Sequence, residues 1–455
     1  MAYRTFNPYT CKEEARFDLI SKTELNEKLN LAESSFNQWK FTALEDRSRI
    51  LMKVADLLEK DEEKHARIIT TEMGKPISQS RTEVAKCALV SKYYAEKAGE
   101  FLAPVKMEST ARESYTRFDP LGIIFAVMPW NFPYWQVFRY IAPNLMAGNT
   151  GLLKHASNVP LCAIAMEQVF LDAGAPEGVF QNLLINYDQA SQVIRHPAVR
   201  GITPTGSNYA GYKVAELAGA MGKKSVLELG GSDPYVIFAD ADLEQAAETG
   251  IMARFQNNGQ SCIAAKRFIV QEDVYDSFLS LFREKVEALK VGDPMDPETV
   301  IGPVARKDLL LELEDQLKHI LTQGGKILTG GKRLSSKSLV LEPTIITDLP
   351  IDAPINQDEL FGPVIPVFSF KKEHEAVEMA NNTPFGLGSS IWTGSREKAD
   401  RIAPRIDAGT VAINGMVKSD PNLPFGGVKA SGYGRELSEN GMHEFLNIKT
   451  VSYFE

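Results

Sequence analysis

The chain has 455 residues and a mass of 50.4 kDa. At about 100–200 residues per domain this allows two to four domains and a core that needs no covalent staples, which excludes a toxin, a peptide or a single small module. Its 50 Lys and Arg against 59 Asp and Glu leave a net charge of −9, so no basic field gathers nucleic acid or an anionic membrane surface, and an anionic ligand must be held by local groups.

In chain order, the opening MAYRTFNPYTCKEEARF has no apolar h-region of the kind a signal peptide carries. From Arg49 to Arg67, Ile50, Leu51, Val54, Leu57 and Leu58 recur at helical spacing, and Gly74 and Pro76 supply a stop. A second helix carries Val84, Cys87, Val90 and Tyr94 on one stripe. Residues 102–120 lack that period and alternate polar with apolar. Short apolar runs follow: GIIFAVMP, TGLLKHA, GVFQNLLI, VRGITPTGS, KSVLELGG and PYVIFAD, most of them separated by helical stretches. Each is too short for a helix and too apolar for a half-exposed strand, the βαβ pattern of a parallel sheet covered on both faces. The alternation resumes with KRFIVQ, a helix through Leu279 to Leu289, KILTGG, PVIPVFSF, LGSSIWTG and GTVAING. Two successive α/β units are therefore predicted, with a seam at LELGGSDP. The last residues, NIKTVSYFE, read as an isolated terminal strand of the kind that pairs with another chain. The longest apolar run, Leu121 to Trp130, is broken by Pro129 and is too short to span a membrane. A soluble, cytoplasmic, oligomeric protein is expected.

Several motifs are missing. No G-x-G-x-x-G follows a strand-like run, no G-x-x-x-x-G-K-[ST] occurs, and the six histidines form no H-E-x-x-H, which disfavours an ordinary Rossmann fingerprint, a P-loop and a zinc site. Cys11, Cys87, Cys162 and Cys262 form no C-x-x-C pair and read as reduced thiols. Cys262 differs from the others in following the small, polar NNGQS; it is either a reactive thiol or a small buried hydrophobe. Glu228 ends an apolar run and precedes two glycines. Burial there would raise its pKa and make it a base near neutral pH; the alternative is a strand-end carboxylate turned to water.

MPWNFP at 128–133, LLKHAS at 152–157, TGS at 205–207, LELGGSDP at 227–234, NNGQSC at 257–262, DELFGPV at 358–364 and LPFGGVKASGYGRE at 423–436 resemble the signature blocks of the NAD(P)-dependent aldehyde dehydrogenase superfamily, in the family's order over nearly the whole chain. The resemblance implies an α/β protein with two parallel-sheet Rossmann-like domains plus a small β oligomerisation element. The dinucleotide-binding domain would occupy 1–101 and 121–230, the catalytic domain 231–421, and the element joining a homodimer or homotetramer 102–120 and 440–455. It also implies roles. Cys262 attacks the aldehyde carbon, the Asn131 amide and the backbone N–H of Cys262 hold the oxyanion, and Glu228 activates the water that hydrolyses the thioester. The implied cofactor residues are Pro129, Trp130, Lys154, Ser157, Gly206, Ser207, Leu229, Glu359 and Phe361, with the pyrophosphate at the helix N-terminus after Gly206 and Ser207. Ser157 stands where members that prefer NAD often place Glu, and beside Lys154 its hydroxyl would accept a 2′-phosphate. NADP preferred, NAD tolerated and no metal is the expectation.

In FPYWQVFRYIAP, Pro133 suits a helix N1 position, which would put Asn131, Trp135 and Arg139 on one helix face with the Arg139 guanidinium a few ångströms from the oxyanion site. An Arg at this place, with Ser419 in NGMVKSD, is similar to the carboxylate grip of the shorter bacterial succinate-semialdehyde dehydrogenases. Trp135, Arg139, Ser261 and Ser419 are thus the implied substrate residues, with Lys418 adding charge; the alternative for Arg139 is an ion pair with a neighbouring Glu or Asp. Gln256 and Ile263-Ala264 depart from the longer type, which places a second carboxylate-binding Arg and a second Cys there. The implied reaction is oxidation of succinate semialdehyde to succinate. Retention of Glu228 argues against a CoA-acylating enzyme, and intact Cys262, Glu228 and Asn131 argue against a non-catalytic protein of the same fold. A broad aliphatic aldehyde dehydrogenase, with Arg139 merely structural, is the remaining alternative.

Overall fold

The computed structural model describes residues 3–454. Among them the apolar runs form two sheets. The first has five parallel strands in the spatial order Phe180–Asn182, Thr150–Lys154, Ile123–Val127, Val199–Pro204 and Lys224–Ser225. The second has seven, in the order Lys326–Thr329, Thr344–Thr347, Val364–Phe370, Ala265–Gln271, Asp233–Ile237, Gly388–Trp392 and Thr410–Ile413. Because side chains alternate along a strand, Ile123 and Phe125 join one core while Ile124 and Ala126 join another on the opposite face. Val236 and Ile269 are likewise separated from Tyr235, Ile237, Phe268 and Val270. Burial on both faces explains why these strands read as continuous apolar runs.

Several expectations are corrected. The single helix over 49–67 is two helices, Leu44–Lys60 and Glu62–Met73, broken at Asp61, whose φ of −106° and ψ of 23° are not helical. KSVLELGG splits: Lys224–Ser225 edges the first sheet, whereas Leu227–Glu228 forms an antiparallel ribbon with Gly432–Tyr433. The KILTGG strand joins the second sheet antiparallel to Thr344–Thr347. The terminal strand, Leu446–Tyr453, is not isolated, for it pairs antiparallel over its whole length with Glu113–Pro120, which also pairs with Val105–Lys106. Near the start, Tyr3–Asn7 and Lys12–Phe17 form a further antiparallel ribbon.

The strand order positions the site. In the first sheet the chain begins at Ile123–Val127, builds outward on one side, then returns to add Val199–Pro204 on the other. The carboxyl ends of those two neighbours flank a topological switch point, where open α/β sheets bind ligands. The segments that leave them are Pro129–Asn131 and Gly206–Ser207. Facing them are the segments that enter two strands of the second sheet, Ser261–Cys262 before Ala265–Gln271 and Glu359–Phe361 before Val364–Phe370.

Candidate active site

A cavity of about 420 Å³ lies between the two sheets, lined among others by Pro129, Trp130, Asn131, Gly206, Ser207, Leu229, Cys262, Glu359 and Phe361. Residues far apart in the chain and singled out by separate motifs thus share one wall. Thr205, Asn208, Gln136, Phe385 and one face of the helix Lys307–Thr322 (Leu309, Glu312, Leu313, Gln316) complete it. Except for Thr205, which belongs to the TGS block, these lay outside the motif reading because they are ordinary helix and loop residues.

Asn131 stands in the turn before the helix Trp135–Ala147, not on it. Pro133 is therefore not N1, and the expected single helix face through Asn131, Trp135 and Arg139 does not form. The turn is held instead by a buried ion pair. Lys75 bonds Glu83, and Glu83 Oε1 accepts the N–H groups of Tyr134 at 2.9 Å and Trp135 at 3.0 Å, satisfying donors at the helix start. The Lys75 ammonium also lies 3.9 Å from the centre of the Phe132 ring. Asn131 Nδ2 donates to the Gln260 carbonyl at 3.1 Å and Oδ1 accepts from Gln136 Nε2 at 3.1 Å, which fixes the amide with its nitrogen toward the cysteine loop.

That loop is strongly constrained. Asn257, Asn258 and Gly259 take consecutive left-handed φ values of 56°, 58° and 73°, a conformation Asn and Gly tolerate and other residues resist. Asn258 donates to the carbonyls of Gly74 and Pro303 and accepts the Gly302 N–H; Asn257 donates to those of Asn131 and Gln260. A Cβ on Gly259 would lie 2.5 Å from the Gly362 oxygen. Arg254, fully buried, donates to the carbonyls of Gly259, Leu360, Gly362 and Val364 and so clamps the cysteine loop to the Glu359–Phe361 segment. Lys266 adds a second clamp: it donates to the Ser261 and Cys262 carbonyls at 2.7 Å each and pairs with Glu359 at 3.1 Å. Burial pushes the Cys262 thiol up to about 12, against the opposing charges of Lys266 and Arg139. The resting thiol is neutral and needs a base. Ser261 Oγ beside it is buried without a hydrogen-bond partner among the described residues.

Glu228 is buried at 2 % exposure, and neither carboxylate oxygen has a hydrogen-bond partner among the described residues. Burial raises its pKa well above the ordinary carboxylate value and the Glu436 charge adds to this, opposed by Arg139 and Arg435. Of the two readings of Glu228, the structure shows the buried one. Gly426 closes over it, since a Cβ there would sit 2.8 Å from Glu228 Oε1.

Arg139, expected to receive a substrate carboxylate, meets a carboxylate of this chain instead, and its Nη2 stays without a hydrogen-bond partner among the described residues. Its guanidinium is buried, pairs with Glu436 and stacks 4.6 Å over Phe425. The alternative reading, an ion pair, is what forms, because Glu436 is brought alongside by the ribbon that holds Glu228. Trp135 and Ser419 do meet: Trp135 Nε1 donates to Ser419 Oγ at 2.9 Å. The nearby cation, however, is not Lys418, which is exposed. It is Lys86, from the helix Ile77–Phe101, which donates to the same Ser419 oxygen at 2.8 Å and lies 4.0 Å over the Trp135 ring. No motif marked Lys86, which reads in sequence as a surface position on an amphipathic helix.

On the nucleotide side, Gly206 has a φ of 154° and open space where a Cβ would point, and Ser207 caps the helix Asn208–Ala220 by accepting the Ala210 N–H. Exposed backbone amides at a helix N-terminus suit a pyrophosphate. Phe361 meets Trp130 edge-on with centroids 5.8 Å apart. Lys154 ends its strand buried, 4.9 Å over the Tyr187 ring, and burial lowers it to about 8. Its ammonium has no carboxylate within ion-pairing distance among the described residues. Ser157 is exposed, with its carbonyl accepting the Arg4 N–H at 2.9 Å. No helix among the described residues is long and apolar enough to cross a membrane, and no group of three or more His, Cys, Asp or Glu is placed to hold a metal.

Comparison with known proteins agrees with this arrangement. The chain is 48% identical over 99% of both chains to a probable NADP⁺ succinate-semialdehyde dehydrogenase of Synechocystis. It is 46% identical, again over 99% of each, to succinate-semialdehyde dehydrogenase [NADP(+)] 1 of Mycobacterium tuberculosis. The solved structure of succinic semialdehyde dehydrogenase from Streptococcus pyogenes with NADP⁺ superposes with a TM-score of 0.98 at 41% identity, covering 100% of both chains. The aldehyde dehydrogenase family profile matches residues 1–451; with a cysteine, an amide and a buried carboxylate gathered between two α/β sheets, the chain belongs to that family.

Proposed function

We propose that the protein oxidises succinate semialdehyde to succinate, with NADP⁺ preferred as hydride acceptor and NAD⁺ tolerated. The observation that carries the reaction is the cavity in which the Cys262 thiol and the Asn131 amide face the Gly206–Ser207 helix N-terminus, with Glu228 buried beside it. The full-length likeness to enzymes named for this substrate carries the substrate. Lys154 and Ser157 hold the adenosine ribose and its 2′-phosphate, Gly206 and Ser207 the pyrophosphate, and Glu359, Phe361, Pro129, Trp130 and Leu229 the nicotinamide end. A buried ammonium lacking a carboxylate partner suits that phosphate.

The Cys262 thiol releases its proton to water in the cavity, and the thiolate attacks the aldehyde carbon, forming a thiohemiacetal whose oxyanion accepts from the Asn131 amide and the Cys262 backbone N–H. The nicotinamide, when bound, accepts the hydride that leaves a thioester on Cys262. Glu228, whose carboxylate is made more basic than usual by burial, takes a proton from the water that releases the acid. The domains divide this work: 1–101 and 121–230 bind the dinucleotide, 231–421 carry Cys262, and 102–120 with 440–455 join subunits into a homo-oligomer in the cytoplasm.

One observation favours a second reading, a broad aliphatic aldehyde dehydrogenase: Arg139 is engaged by Glu436. Comparing kcat/KM for succinate semialdehyde and butanal, with NADP⁺ and then NAD⁺, separates the two. A preference of about 100-fold for the semialdehyde supports the first reading and near-equality the second. A kcat/KM at least about ten times higher with NAD⁺ overturns the NADP⁺ preference.

A further inference from the structure

Arg139 pairs with Glu436 while its Nη2 is buried without a hydrogen-bond partner among the described residues, and a second cation packed against Trp135 on the same helix start is Lys86. Its ammonium is half-buried, stacked 4.0 Å over Trp135, and bonded to Ser419 Oγ at 2.8 Å. No carboxylate lies within ion-pairing distance of it among the described residues; Glu83 is held by Lys75 and the Tyr134 and Trp135 N–H groups, and Asp420 accepts from Asn422. Ser419 Oγ accepts from both Lys86 and Trp135, so its own O–H is left to donate. The cluster is therefore a set of donors around one positive charge, with a hydroxyl as its only acceptor. Such a set is completed by an anion.

Its position fits the substrate. Trp135 opens the helix that begins four residues after Asn131, the amide assigned to the aldehyde oxygen. Arg139, one turn further on, exerts its charge on both Lys86 and Cys262. Cys262 packs against the apolar cluster to which Trp135 belongs, so a short chain bearing an aldehyde at one end and a carboxylate at the other has a partner for each end within one region of the core.

Building on the proposed substrate, we propose that Lys86, with the Ser419 hydroxyl, is a receptor for the substrate carboxylate, beside an Arg139 whose guanidinium also pairs with Glu436. Lys86 and Ser419 thereby set specificity for ω-carboxylated aldehydes over neutral ones.

The test is the ratio of kcat/KM for succinate semialdehyde to that for butanal, measured with NADP⁺ in the wild type and in Lys86→Met, Lys86→Arg, Ser419→Ala and Arg139→Met. The expected result is a fall in the ratio of about 100-fold in Lys86→Met, carried by the semialdehyde KM, with recovery to within about tenfold of wild type in Lys86→Arg. Ser419→Ala, a smaller change that keeps the cation, is expected to lower the ratio about tenfold. Butanal turnover in each variant reports that the fold is intact. A ratio that falls less than tenfold in Lys86→Met, or that collapses in Arg139→Met while surviving in Lys86→Met, overturns the assignment and leaves the substrate standing. Absence of any preference in the wild type overturns the substrate itself.

Discussion

Glu228 and Cys262 are each placed where burial disfavours the charge that their chemistry requires. A carboxylate raised in this way is poor as a structural anion and good as a proton acceptor. Glu228→Gln is expected to retain the first-turnover burst of nucleotide reduction while steady-state turnover falls by about 10²–10⁴. Equal loss of burst and turnover would place Glu228 in the first half-reaction instead. Asn131→Ala removes one preorganised donor and is expected to lower kcat/KM for succinate semialdehyde by about 10²–10³, chiefly through kcat; an effect confined to KM would show that the amide binds substrate without following the developing charge. Cys262 and Glu228 were marked out by a small, polar loop around a thiol and by a carboxylate between an apolar strand and two glycines, but each kept a plain structural alternative until the seven signature blocks were read together. The fate of Arg139 was not marked in this way. It depends on Glu436, nearly three hundred residues away, and nothing in FPYWQVFRYIAP announces that partner.

The elements around the site owe their placement to buried charges that periodicity does not register. Lys75 sits within the stop formed by Gly74 and Pro76 and Glu83 lies in the helix after it, yet together they fix the start of the helix Trp135–Ala147. Removing Glu83 strands an ammonium, so Glu83→Met is expected to cost about 3–5 kcal/mol, and the Lys75→Met/Glu83→Met double variant to recover most of it. Chemical denaturation measures both, and additive losses would show that the two residues act separately. Asp233 opens an interior strand of the second sheet, with one carboxylate oxygen accepting the Gly388 N–H and the other unpartnered among the described residues. Burial raises it from 3.8 to about 7, opposed by the charge of Lys266. Folding thus favours its neutral form: the contribution is complete below its unfolded pKa, near 4, and is lost as pH rises through about 7. Asp233→Asn is accordingly expected to gain on the wild type between pH 4 and pH 8, by up to about 4 kcal/mol. A difference that stays constant across that range would assign the effect to packing rather than titration.

For the whole molecule, the open question of assembly rests on the three-stranded sheet. Leu446–Tyr453 lies at its edge, with Ile448 at 59 % exposure and Tyr453 at 50 %. An unpaired edge of this length carrying exposed apolar side chains is a docking surface unless it is covered. Light scattering at micromolar concentration is expected to give a multiple of 50.4 kDa, and Ile448→Asp to shift it toward the monomer. A monomeric wild type would end the proposal of an oligomer. The sequence pattern marked both 102–120 and the terminal residues as strands outside the main rhythm, but not that they pair with each other, since strand pairing across three hundred residues leaves no local trace.

Two layers of information separate cleanly here. The alternation of short apolar runs with helical stretches and the order of the seven signature blocks determined the α/β class and the family and, with the small polar setting of Cys262, marked the candidate reacting residues, because each depends on what a residue's immediate neighbours are. The splitting of KSVLELGG, the exposure of Lys418, the pairing of Arg139 with Glu436 and the meeting of Lys86 with Ser419 were decided only by the folded chain. Those are contacts between charges and hydroxyls carried on separate elements, and their partners are chosen by how the two sheets and the ribbon between them pack, not by any spacing along the backbone.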